Sequence, residues 1–231
     1  MQKARLRQRL LTNCVAWCSV LALSVSAVAA GYRAEPLKEA APKDVAKNVR
    51  DILDTRGLRI LDPKGKAWVD IWLRKNVKTQ KDEGLNGVQY GMLPEGSVLG
   101  VIRYHMKGAD FRGHKFPAGV YTFRTGLQPE DGEHLGASDT RDFVLLCPSK
   151  GDVKLDPMTT DAVVKESVKV SGAKHPSILY VTKLFDKPEG LPRLIEDEDY
   201  EYWILDCQIA DAADAKKSVR LGLVLVGRAE E

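Results

Sequence analysis

The sequence predicts a mainly β protein, an antiparallel β-sandwich or jelly-roll with one or two short helices. Three observations carry this. From residue 58 onward apolar side chains recur with a period of two in one run after another. The runs are separated by turn chemistry such as Pro94-Glu95-Gly96, Lys107-Gly108-Ala109-Asp110 and Pro117-Ala118-Gly119. Helical spacing is found in two segments, around residues 43–57 and 160–172.

Residues 1–29 read as a signal peptide. Lys3, Arg5, Arg7 and Arg9 stand together without an acid, residues 10–28 are apolar and small, and Ala27-Val28-Ala29 has the small-x-small order of a cleavage site. Thr12, Asn13 and several serines interrupt the apolar stretch, so a retained membrane anchor is disfavoured. The expected location is the periplasm or the medium. Removing residues 1–29 removes four of the 35 basic residues and none of the 32 acids, leaving 31 against 32 over 202 residues, a net charge of −1. Such a chain has no broad basic field, which disfavours nucleic acid and anionic membrane as partners.

Residues 30–42 are small, polar and unpatterned and read as a flexible mature N-terminus. Residues 43–231 read as a single β-sandwich domain, since no linker divides them. From Lys43, the spacing of Val45, Val49, Ile52 and Leu53 predicts a helix, and Gly57 is placed to end it. Residues 58–61, the turn Asp62-Pro63-Lys64-Gly65 and residues 66–75 predict a hairpin. Strands are predicted at 88–93, 97–105, 120–127, 142–147, 178–185, 200–209 and 219–226. A second helix is expected from Thr160 as its cap to Gly172. Glu196-Asp197-Glu198-Asp199 reads as a solvated turn.

Cys14 and Cys18 leave with the leader. Cys147 and Cys207 remain, each in a strand-like run, and an even pair in an oxidising compartment predicts a disulfide; two separate buried thiols are the alternative.

Residues 128–141 hold four acids, a histidine and several Gly and Ser positions, more polar chemistry than a simple connection needs. Asp131, Glu133, His134 and Asp139 are therefore candidate ligand-binding residues. The run from Leu93 to Asp142 contains Pro-Ala-Gly-x-Tyr-Thr, then Gln-Pro-x-Asp-Gly-x-His-x-Gly-x-Ser, then Arg-Asp-Phe, and His175-Pro176 opens a later strand. In these elements the chain resembles a group of uncharacterised secreted bacterial β-sandwich proteins. The resemblance implies kinship over about half of the mature chain and no particular activity.

Two function classes follow. The first is an exported binding or structural module whose partner is an extracytoplasmic protein or a carbohydrate. Trp68 and Trp72 share one face of their predicted strand and, if that face is open, present rings for stacking; coverage by a helix or a second sheet is the alternative. The second is a metal-dependent enzyme or metal-binding protein using a His/Asp cluster around residues 105–139. There His105 and His114 meet if residues 103–105 pair with 114–116, and His134 and an acid complete the set. No cofactor is indicated by any motif.

Overall fold

The computed structural model describes residues 31–129 and 140–229. The elements in chain order are β1 (Arg33–Leu37), α1 (Lys47–Asp51), β2 (Gly57–Leu61), β3 (Ala67–Leu73), β4 (Asn76–Val77), β5 (Val98–Tyr104), β6 (Gly108–Ala109), β7 (Lys115–Phe116), β8 (Gly119–Leu127), β9 (Asp142–Pro148), α2 (Thr160–Ser171), β10 (Ile178–Thr182), β11 (Arg193–Asp197), β12 (Tyr202–Asp211) and β13 (Ser218–Val226). The protein is mainly β.

Eleven strands form one sheet in the order β1-β2-β3-β5-β8-β9-β10-β13-β12-β11, with β4 joined to β12, and β6 pairs with β7 in a small ribbon. Neighbours along the main order are antiparallel, and only the two-residue pairing of β4 with β12 is parallel. The sheet curls until its two halves face each other. Apolar residues from both halves, including Ile60, Ile71, Ile102, Phe123, Leu146, Leu179, Leu205 and Leu223, make one central core. Each such side chain contributes about 1.5–3 kcal/mol by leaving water.

The curl has local causes. Register shifts at Ile60/Leu61, Val98/Gly100 and Trp203/Ile204 insert bulges that bend and twist the strands. At Gly100 a β-carbon would lie 2.5 Å from both Phe123 Cζ and the Trp72 carbonyl oxygen, so the bend of β5 onto its neighbours requires glycine. The curl brings β1 close to β11, and Tyr32, just before β1, sets its ring centroid 5.5 Å from that of Trp203 on β12.

Two further layers cover the outside of the sheet. The α1 segment lays Val45, Val49 and Leu53 over Trp72 and Val101. Helix α2 lays Val163 over Leu145 and Cys147, and Gly172, at φ 70°, ends that helix in the left-handed region. The cap residue is Thr159, one position before the expected Thr160.

Several expectations are corrected. Residues 33–37 are not a loose terminus: they form β1 along β2 in continuous antiparallel register. The first helix ends at its C-cap Ile52, and Gly57 instead starts β2. Residues 88–93 carry core side chains without being a strand. Their backbone is held by the Asp142 carboxylate, which accepts from Gln89 N at 2.7 Å and Tyr90 N at 3.1 Å, so no neighbouring strand is required. Glu196 and Asp197 belong to β11, not to a turn.

Cys147 and Cys207 are unbridged. Cys147 faces outward from β9 beneath Val163 of α2, whereas Cys207 points into the central core from β12. Strands β10 and β13 lie between β9 and β12 in the sheet, so the two side chains occupy different layers and cannot reach disulfide geometry.

Candidate functional site

The two tryptophans of β3 do not make a stacking platform. Ala67 and Trp68 together span one step of β2, since Leu61 opposes Ala67 and Ile60 opposes Val69. This bulge interrupts the alternation, so Trp68 packs against the central core beside Tyr32 and Tyr104, with ring centroids 4.9 and 6.0 Å away. Trp72 faces the other way, is fully buried beneath the α1 layer and donates Nε1–H to the Glu39 carbonyl at 2.8 Å.

The histidines are likewise separated. The partners of β5 are β3 and β8, and β7 pairs with β6, so residues 103–105 and 114–116 do not form the expected ribbon. His105 Nε2 donates to Asp70 Oδ2 at 2.8 Å. The same fully buried carboxylate accepts from Arg59 Nε at 2.7 Å and Arg103 Nε at 2.9 Å, and Glu39 closes the cluster through Arg103 at 3.0 Å. Burial raises the pKa of Asp70, but the hydrogen bonds from Arg59, Arg103 and His105 outweigh it and hold the group below the usual carboxylate range. His114 Nδ1 is 3.4 Å from a different carboxylate, that of Asp110. His134, Asp131, Glu133 and Asp139 lie outside the described residues. Among the described residues no three His, Cys, Asp or Glu side chains converge as a metal site.

A concave apolar site does exist beside the neck of the 128–141 loop. The neck is closed by Gln128 N–H donating to the Arg141 carbonyl at 2.8 Å and Arg141 Nε donating back to the Gln128 carbonyl at 2.9 Å. Next to it, a pocket of about 220 Å³ opens on the outer face of β8, β9 and β10. Phe143, Leu145 and Ile178 form its floor, and Val163 and Val164 of α2 form one wall. Gly126 keeps the floor open, because a β-carbon there would collide with Leu145 Cδ1. The pocket lies between two satellite apolar clusters, one built on Phe111, Phe143 and Tyr180 and the other on Leu145, Cys147 and Val163, with Ile178 packed against both.

The opposite wall is the turn between β6 and β7. Asp110 Oδ1 accepts from Arg112 N at 3.0 Å and His114 N at 2.8 Å, which sets the turn. Phe111 is anchored on both sides, its N–H to the Ile178 carbonyl at 2.9 Å and its carbonyl to Ala229 N–H at 2.8 Å. Its ring stacks on Tyr180 at 4.9 Å. Arg112 therefore enters the pocket from a braced turn. Its Nη2 donates to the Pro176 carbonyl, while Nε is buried without a partner among the described residues. Burial lowers the Arg112 pKa, and the nearby Asp110 partly offsets this. Glu95, Thr125, Gln128, Thr160 and His175 supply the remaining polar lining.

A larger cleft of about 1100 Å³ follows the seam between the β1–β2 edge and the β11–β12 edge, over Leu58, Ile71, Leu194 and Leu205. It is more polar than the pocket beside α2 and is the gap left by incomplete closure of the curled sheet.

Reading residues alone directed attention to the 128–141 loop, and the pocket adjoins its neck. The pocket itself was missed. Its walls come from residues 111–112, 163–164 and 178, segments far apart in the chain with no shared motif, and of the lining only Gln128-Pro129, Phe143 and His175-Pro176 fall within the strings that stand out in the sequence. No protein-family model, curated protein or solved structure matches this chain.

Proposed function

We propose that the protein is an exported binding module, acting in the periplasm or outside the cell, that takes a small apolar ligand in the pocket between α2 and β8–β10. The pocket carries the reading: a strongly apolar concavity of about 220 Å³, braced by secondary structure and edged by a few polar groups, is the usual form of a small-ligand site. A cavity of roughly 150 Å³ suffices for benzene, so a substituted ring fits. The basic, apolar and small-residue order of residues 1–29 supports export. The likeness to secreted β-sandwich proteins agrees with this setting.

Amide spectra recorded with increasing benzyl alcohol test the site. Resonances of Gly126, Leu145 and Val163 are expected to shift in the wild-type protein and to stay still in Val164→Trp, whose indole fills the pocket. Absence of shifts at these amides in the wild type overturns the binding reading. Intact-mass measurement on protein recovered from the periplasm or medium tests export, with loss of about 29 residues expected; an uncleaved cytoplasmic chain refutes it.

A further inference from the structure

We infer that the ligand of this pocket is a small aromatic carboxylate whose acid group is held by Arg112, an inference that rests on the pocket reading above. Two independent features of the wall converge on it. Phe111 and Phe143 both line the space and belong to a packed aromatic group with Tyr180, so a ring entering here joins an existing edge-and-face arrangement. At the same wall stands a guanidinium whose hydrogen-bonding capacity is only partly used. Arg112 Nη2 reaches the Pro176 carbonyl, but the buried Nε–H has no acceptor among the described residues.

Among the described residues, the neighbouring acids do not fill that role. Asp110 Oδ2 is 4.0 Å from Arg112 Nη2, beyond hydrogen-bond distance, and Asp110 Oδ1 is engaged by the backbone of its own turn. Glu95, on the pocket lining, accepts from Leu127 N–H through Oε1 at 3.3 Å. A part-buried guanidinium with a donor left open among the described residues, beside an apolar floor, suits a planar carboxylate, which accepts from Arg in a fork and needs no counter-donor. A neutral aromatic of equal shape leaves Nε–H unsatisfied and gains only the ring contacts.

Calorimetric titration with phenylacetate and with phenylacetamide, its neutral isostere, decides the matter. Wild type is expected to bind phenylacetate about tenfold or more tightly than phenylacetamide, in line with the strength of hydrogen bonds to charged groups. Arg112→Gln is expected to erase this preference while leaving phenylacetamide affinity within about twofold. Equal affinities in the wild type overturn the carboxylate inference and leave the pocket reading intact. A preference that survives Arg112→Gln overturns the assignment to Arg112. Failure of both probes to bind the wild type overturns the pocket reading and this inference with it. Should Arg112→Gln fail to fold, Arg112→Lys takes its place, with a preference reduced but retained, and an unchanged preference counts against the guanidinium.

Discussion

Arg124 and Asp152 form a two-point ion pair sealed from solvent. Arg124 Nε donates to Asp152 Oδ2 at 2.8 Å and Nη2 to Oδ1 at 2.6 Å, with the side chains 0% and 3% exposed. Arg124 also donates Nη1–H to the Gly96 carbonyl at 2.6 Å, and Thr122 donates its hydroxyl to Asp152. The pair thus ties the outer face of β8 to the connections on either side of it. Burial makes the two partners interdependent, because a lone charge in this position has neither water nor a counter-ion.

Asp152→Ala is therefore expected to destabilise the fold by about 3–5 kcal/mol, a fall of roughly 6–20 °C in melting temperature for a domain of this size. Replacing both partners by apolar residues, Arg124→Met with Asp152→Leu, is expected to cost less than the single change. Calorimetric melting of the three proteins checks the order, and a double variant less stable than Asp152→Ala contradicts it.

The cysteines give a second expected outcome. Burial pushes the Cys147 thiol up to about 12 and the Cys207 thiol likewise up to about 12, so thiolate is scarce in the native protein at pH 8. Thiol titration of protein comprising residues 30–231 is expected to find two groups under denaturing conditions and almost none in the native state. Zero groups after denaturation without reductant means a bridge has formed, contrary to the separate layers described above.

Stability near Asp70 depends on pH with a definite sign. The folded pKa lies below the ordinary value of about 3.9, so the stability contributed by the carboxylate is present above the unfolded pKa and is lost as pH falls through the folded one. Asp70→Asn is expected to cost about 2–3 kcal/mol at pH 7, less than a wholly buried pair loses, because Arg59 and Arg103 retain solvent access. The difference from wild type should shrink below about pH 4. Urea unfolding at pH 7 and pH 3 measures it, and a gap of equal size at both values rejects the charge-based account.

Gly96 is expected to tolerate no side chain. Its φ is +77°, and a β-carbon would run into the Met158 backbone oxygen, nitrogen and carbonyl carbon. Gly96→Ala therefore combines backbone strain with a clash that no rotamer relieves, a loss of about 3 kcal/mol. A melting temperature within a degree of wild type would show that the 94–97 turn and the 158 region move apart easily.

How much of this was legible beforehand follows from the range over which each signal acts. The 58–73 hairpin, strands β5, β8 and β9, and α2 with its terminal Gly172 were readable because period-two and period-3.6 patterns, turn residues and caps are local properties of the chain. β1 was not readable: Arg33-Ala34-Glu35-Pro36-Leu37 has no clean alternation, and Pro36 suits an edge strand whose existence depends on β2 being there to pair with it. Nor was the irregular 88–93 segment, whose backbone partner is a carboxylate about 50 residues away.

The candidate site divides in the same way. The sequence by itself determined that this is a β-rich chain, where most strands fall and that the 128–141 loop concentrates polar chemistry. Only the tertiary structure decided that Trp68 and Trp72 face apart, that Cys147 and Cys207 lie in different layers, that His105 and His114 serve different carboxylates, and that Arg112 meets an apolar pocket. The physical reason is that a bulge of one residue reverses which face a side chain takes, and that the curl of an eleven-stranded sheet sums many small twists and three register shifts. Neither leaves a periodic mark in the sequence, yet together they decide which distant residues become neighbours.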